Sequence, residues 1–134
     1  MLNKRTLRDL NLAISTALPA AGAAVTSAGI DTANVNPGRV HPVEMLLEVP
    51  ATPSLVDAKT ITYTFQDSAD GVSYAAIADL PTVVSTGAGG AGAAAVERQF
   101  KIPTTARRYL AVNAAVLAAG GSNIAVSFKL SLVF

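Results

Sequence analysis

The residues of this chain whose types could do chemistry are few and scattered. The densest group lies in ITYTFQDSADGVSY, residues 61–74, where Asp67, Ser68 and Asp70 crowd together before Gly71. A calcium loop needs oxygen ligands at alternating positions and a closing bidentate Glu. Here Ser68 and Ala69 interrupt the carboxylates, and no further acid follows until Asp79. Asp and Ser side chains bond nearby backbone, and Gly accepts positive φ, so the group reads as the chemistry of a tight turn. Residues 87–92, GAGGAG, match G-x-G-x-x-G through Gly87, Gly89 and Gly92. A dinucleotide site also needs a helix start for the pyrophosphate and an acid about twenty residues on. After Glu97 there is no Asp or Glu, and Pro103 would break a following helix. The motif therefore reads as a flexible Gly/Ala loop at the rim of a sandwich. No G-K-[ST] is present either.

His41 is the only histidine and stands before Pro42. One histidine cannot build a multi-histidine metal site, and no nucleophile elbow accompanies it for Ser-His-Asp chemistry. Its reading is a loop-edge or interface residue. Glu44 and Glu48 would share a strand face about 13 Å apart at strand rise. That is wide for a glycosidase carboxylate pair, and a solvated face is the simpler reading. Arg107 and Arg108 stand at a strand start and read as a solvated strand end, or else as contacts to an acidic partner. Seven aromatics without tryptophan form a thin platform for stacking sugars or single strands. With no cysteine, there is neither a disulfide framework nor a thiolate site. No catalytic set, cofactor or metal is expected.

The elements that would position these residues are mostly strands. Ile61, Tyr63 and Phe65 alternate with Thr62, Thr64 and Gln66, a period of two that puts them on opposite faces. With the turn at 67–71 and a return strand from Val72 to Ile77, this predicts an antiparallel hairpin. Val43, Met45, Leu47 and Val49 predict a strand closed by Pro50 and Pro53. Further strands are expected over 80–86, over 96–102, and over 107–117 with Leu110, Val112, Ala114 and Val116 on one face. The clearest alternation runs from Ile124 through Val126, Phe128, Leu130 and Leu132 to Phe134. Short, regularly spaced strands separated by turns predict an all-β fold, a jelly-roll-like antiparallel β-sandwich over 43–134.

Residues 1–42 read as an N-terminal arm, extended or partly helical. Leu7, Leu10 and Ile14 have helical spacing, with Lys4, Arg5 and Arg8 nearby. The stretch that follows is small, polar and punctuated by Gly and Pro, too poor in apolar surface to order itself alone. The basic start before NLAISTALPAAGAA loosely suggests a signal peptide, but Asp9 and Asn11 interrupt it. Pro19, Gly22 and Gly29 argue against a membrane span over 10–30.

At 134 residues the chain has room for one domain with a core. Its net charge of +1 does not favour nucleic acid. Charged residues make up 14%, against about 25% in typical domains. A surface so short of charge suggests cover by other subunits, unless it reflects an alanine-rich proteome. Charge is also segregated along the chain, with seven of the nine acids in 43–97 and five basic residues and no acid in 98–134. Complementary patches could guide subunit docking, although antiparallel sheets can interleave these segments.

The order of these pieces resembles a known family. An Ala/Thr/Ser-rich arm precedes GRVHPVEMLLEV, then Gln66-Asp67-Ser68-Ala69-Asp70-Gly71, a Gly/Ala loop, Pro103 with Arg108-Tyr109-Leu110-Ala111-Val112, a Gly turn and a terminal alternating strand. This is similar to the jelly-roll cement, or decoration, proteins of tailed bacteriophage heads, over roughly residues 7–134. The resemblance implies a structural virion protein without enzymatic activity. It would be made in the bacterial cytoplasm and bind the capsid exterior as a homo-oligomer, bridging capsomers of the major capsid protein. The chain departs from the family in carrying alanines where the last long strands are usually bulkier. On this reading Leu7, Leu10, Leu12 and Ile14 are the expected apolar contacts, to capsid or to a second copy. Lys4, Arg5 and Arg8 face an acidic capsid surface. Deleting residues 1–15 would then weaken shell binding and spare the β-fold. Two other classes fit less well: a carbohydrate- or receptor-binding jelly roll, and a small esterase-like enzyme.

Overall fold

In a computed structural model of the chain, residues 8–32 and 43–133 are described. They form ten strands and no helix: β1 (Arg8–Ala17), β2 (Ala24–Thr26), β3 (Ile30–Asp31), β4 (Glu44–Val49), β5 (Thr60–Ser68), β6 (Ala75–Ala76), β7 (Val83–Thr86), β8 (Val96–Lys101), β9 (Tyr109–Val116) and β10 (Ser127–Val133). One sheet runs β1-β10-β4-β8. The other runs β2-β9-β5-β6, with β3 also on β9 and β7 also on β5. Every strand pairing is antiparallel.

The connectivity follows from pairing the chain's two halves from the outside in. β1 pairs with β10, β2 and β3 with β9, β4 with β8, and β5 with β6 and β7. A long antiparallel ribbon of this kind, rolled over a core, is a jelly roll. Its inner faces carry the expected alternation: Met45, Leu47 and Val49; Ile61, Tyr63 and Phe65; Leu110, Val112, Ala114 and Val116; Phe128, Leu130 and Leu132. Tyr63 meets Phe128 edge-on at 5.7 Å and Phe65 meets Phe100 at 5.3 Å, a favoured aromatic geometry. Ala114 lies directly opposite Tyr63 across the β5–β9 ladder. The small residue leaves room on the inner face for the large ring. Burial pushes the Tyr63 hydroxyl up to about 12, with a smaller opposing pull from Ser85.

Three expectations need correction. The first concerns the arm. Of the extended and partly helical alternatives residues 8–17 take the extended one, but as a sheet strand, and β2 and β3 join the other sheet, so these residues belong to the sandwich and not to a separate arm. Leu12 and Ile14 pack from the sheet edge against the core. A truncation at residue 15 therefore removes most of β1 and not a free appendage. Second, the return strand after the 67–71 turn shrinks to Ala75–Ala76. Asp70 Oδ1 accepts from the N–H groups of Val72 and Ser73 at 2.9 Å each, so those donors are already committed to the turn. β7 then takes over the β5 edge from Val83, after Pro81. Third, the terminal strand starts at Ser127. Val126 N–H donates to Asn123 O at 2.9 Å, closing a turn that leaves Ile124 59% exposed.

Candidate functional site

The jelly roll has two ends of opposite chemistry. At one end β5 finishes and β9 begins, and the register places Asp67 opposite Leu110 and Ser68 opposite Tyr109. The QDSADG and RRYLAV segments are therefore neighbours in space. Asp67 is a strand residue with a side chain only 10% exposed. Its Oδ1 accepts from Arg107 Nε at 2.8 Å and Nη2 at 2.6 Å, and its Oδ2 from Arg107 N–H at 2.9 Å. Arg107 Nη2 also donates to Asp67 O at 2.8 Å. Arg108 makes a matching two-point contact with Asp31 at 2.8 Å for both bonds, and its guanidinium lies 5.1 Å from the Tyr109 ring centroid. The two arginines expected as a solvated strand end are thus intramolecular braces. They join sequence segments of opposite charge and tie β3, β5 and β9 together.

Ser68 and Asp70 complete this end. Ser68 Oγ donates to Asp70 Oδ1 at 2.7 Å and accepts from Gly71 N–H at 3.0 Å. The hydroxyl is fully buried and its bonds are spent on the turn, so it is not poised as a nucleophile. Gly71 sits at φ +76° against the Tyr109 ring. The turn reading of 67–71 therefore holds for Ser68, Asp70 and Gly71, whereas Asp67 belongs to an ion pair. Among the described residues, no group of three or more His, Cys, Asp or Glu could hold a metal. His41 lies outside the described residues.

Both carboxyls titrate abnormally. Burial pushes the Asp67 carboxyl up, but its bonds to Arg107 and the arginine's charge together outweigh burial, and the net shift is downward. Asp70 falls to about 2 because the Ser73 and Val72 N–H groups and the Ser68 hydroxyl all bond its charged form. A carboxyl depressed in the folded state stabilises above its unfolded value near 4, and that stability is lost as pH falls through the folded value. Urea midpoints should accordingly fall as pH drops from about 4 towards 2. Arg107→Ala should cost about 1–2 kcal/mol at pH 7. That is less than for a wholly buried pair, since Arg107 is 42% exposed. The gap between variant and wild type should narrow in acid, as Asp67 protonates.

The opposite end gathers the loops 18–23, 50–59, 87–95 and 117–126, brought together by the strand order. Their only charged residues are Asp57 and Lys59. Asp57 Oδ1 accepts from Gly90 N–H at 2.9 Å, which ties down the GAGGAG loop. Ser54 N–H donates to Asn123 Oδ1 at 3.1 Å, and Val56 N–H to Gly120 O at 3.1 Å. On this framework Val56 is 46%, Leu117 48% and Ile124 59% exposed. Three large apolar side chains on a nearly uncharged end are a surface suited to protein contact. Nothing in the separate loops announces that they converge.

A concavity of about 410 Å³ lies on the outer face of the β1 sheet, where Ser15, Lys129, Glu48 and Glu97 form one cross-strand row. Of the expected contact residues, Leu12 and Ile14 line the core edge. Arg8 and Leu10 lie within β1, while Lys4, Arg5 and Leu7 fall outside the described residues. No family model matches the chain, and no curated protein does.

Proposed function

We propose that this protein is a structural component of a tailed-bacteriophage virion, a cement protein that binds the outer surface of the capsid in many copies and bridges capsomers of the major capsid protein. The observation that carries the reading is the division of the jelly roll into a braced, charged end and a nearly uncharged end presenting Val56, Leu117 and Ile124. An enzyme needs a cleft with convergent polar groups. Here the charged side chains Asp31, Asp67, Arg107 and Arg108 of the braced end pair with one another, and the opposite end presents exposed apolar side chains. The similarity of QDSADG and RRYLAV to the decoration proteins adds the virion as the place. Each copy contributes a modest apolar contact, which the symmetry of a shell multiplies.

The test is quantitative mass spectrometry of purified virions from the source phage. A copy number of the same order as the major capsid protein is expected. A handful of copies would indicate a tail or receptor-binding part instead. Absence from the virion would refute the structural role.

A further inference from the structure

The four sheet edges are not alike. On the second sheet the edges are short: β2 has three residues, β3 two, β6 two and β7 four. On the first sheet the β8 edge carries Glu97, Arg98 and Lys101 within six residues. Shortness and charge are the usual guards against pairing with another chain. β1 is guarded less: it is ten residues long, its two charges, Arg8 and Asp9, stand at its start, and Leu10 to Ala17 contain no charge and no proline. Among the described residues nothing pairs with its outer edge. The register irregularity on β10 is confined between Arg8 and Ala13, and Ala13–Ala17 pair regularly with Ser131–Ser127.

We propose that β1 pairs edge to edge with β1 of a second copy of this chain, antiparallel about a twofold axis beside Ser15, so that two sheets become one. The strand's own pattern selects this occupant. Leu12 and Ile14 lie at the rim of the core and are only partly buried, whereas Ser15 and Ala17 are exposed on the outer face. A twofold axis perpendicular to the sheet keeps each face on its own side. With Ser15 opposite Ser15, Ile14 faces Thr16 and Ala13 faces Ala17. The partner thus covers the apolar rim, and the outer face meets only small, uncharged side chains. No like charges come opposite one another, which self-pairing must otherwise avoid. Strand addition of this kind satisfies a full row of backbone groups at once.

The inference rests on the part of the proposed function in which the chain assembles with itself, and is independent of capsid binding. It is tested on the full chain without shells, by sedimentation velocity. The wild type should sediment as a dimer. Ser15→Lys and Ser15→Glu each place like charges across the axis and should run as monomers. Ser15 is exposed, so their circular dichroism should stay close to wild type, and only Ser15→Lys, which meets Lys129 of its own chain across the β1–β10 ladder, should melt a few degrees lower. An equimolar mixture of the two variants should restore the dimer, since Lys then faces Glu. A monomeric wild type would overturn the proposal, as would an oligomer that both variants leave intact. Two monomeric variants that fail to associate on mixing would also overturn it, because residue 15 would not then oppose itself. If dimers form as described but the protein is absent from virions, the pairing stands and the capsid reading falls.

Discussion

Gly92→Ala is expected to lower the thermal midpoint by about 10–20 °C, a large effect for one methyl group on a surface loop. Two costs combine at this position. Gly92 has φ +74°, which costs an L-residue about 1–2 kcal/mol. The added Cβ would also overlap the carbonyl oxygen of Thr52 and the backbone of Pro53. Relieving that overlap means moving the 87–93 loop off the 50–59 loop. Doing so disrupts the bridge in which Thr52 N–H donates to Ala93 O at 2.9 Å and Ala93 N–H to Thr52 O at 3.2 Å. At about 1 kcal/mol for each bond the total reaches about 3–4 kcal/mol. Gly89→Ala is the control: its φ is +64°, yet nothing lies within 4 Å of the added methyl. The chain already holds Ala58 and Ala119 at φ 61° and 60°, so left-handed backbone alone is tolerated. Gly89→Ala should therefore lose only a few degrees by circular dichroism melting. Equal losses for the two variants would show that the loop contact contributes nothing.

This pair of glycines also shows where sequence reading succeeds and where it stops. The GAGGAG stretch was legible as a rim loop and as no dinucleotide site, because a phosphate-binding turn demands partners that the later sequence lacks. That Gly92 is packed and Gly89 open depends on a loop forty residues earlier, which no local pattern encodes. The strands with large residues on one side, such as 44–49, 60–68 and 109–116, were readable from alternation alone. For β1 the sequence leaves the extended and helical alternatives open, because Leu7, Leu10 and Ile14 satisfy a helical period while Leu10, Leu12 and Ile14 satisfy a strand period. Its deciding partner, β10, lies more than a hundred residues away. Asp67 was misassigned for a related reason. Asp, Ser and Gly together signal a turn, and only the β5–β9 register reveals that the first of these acids faces Arg107 across forty residues. The exposed apolar end is the least legible feature of all, since four unremarkable loops become a surface only through the topology.

That surface carries the second large effect. Replacing Val56, Leu117 and Ile124 together by Ser is expected to weaken binding to capsid shells about 100-fold and leave the fold intact. Each side chain is about half exposed in the free protein. Covering the rest of each on docking is worth about 1 kcal/mol at the usual value for buried apolar area, so the three together give about 3 kcal/mol. The same exposure means that little native packing is lost. The melting midpoint should move by only a few degrees, in contrast to Gly92→Ala. The measurement is co-sedimentation of the purified chain with shells stripped of it, across a range of protein concentrations. Charge at the opposite end supplies the comparison: the Asp31–Arg108 pair is exposed, and Arg108→Ala should leave shell affinity near wild type. If Arg108→Ala abolishes binding and the triple variant does not, the charged end is the docking surface. If the unaltered chain fails to bind shells at all, the cement reading itself is wrong. Loss of binding in the triple variant alone, with dimerisation through β1 unaffected, would assign the two edges of the molecule to separate tasks: one to the shell, the other to a second copy.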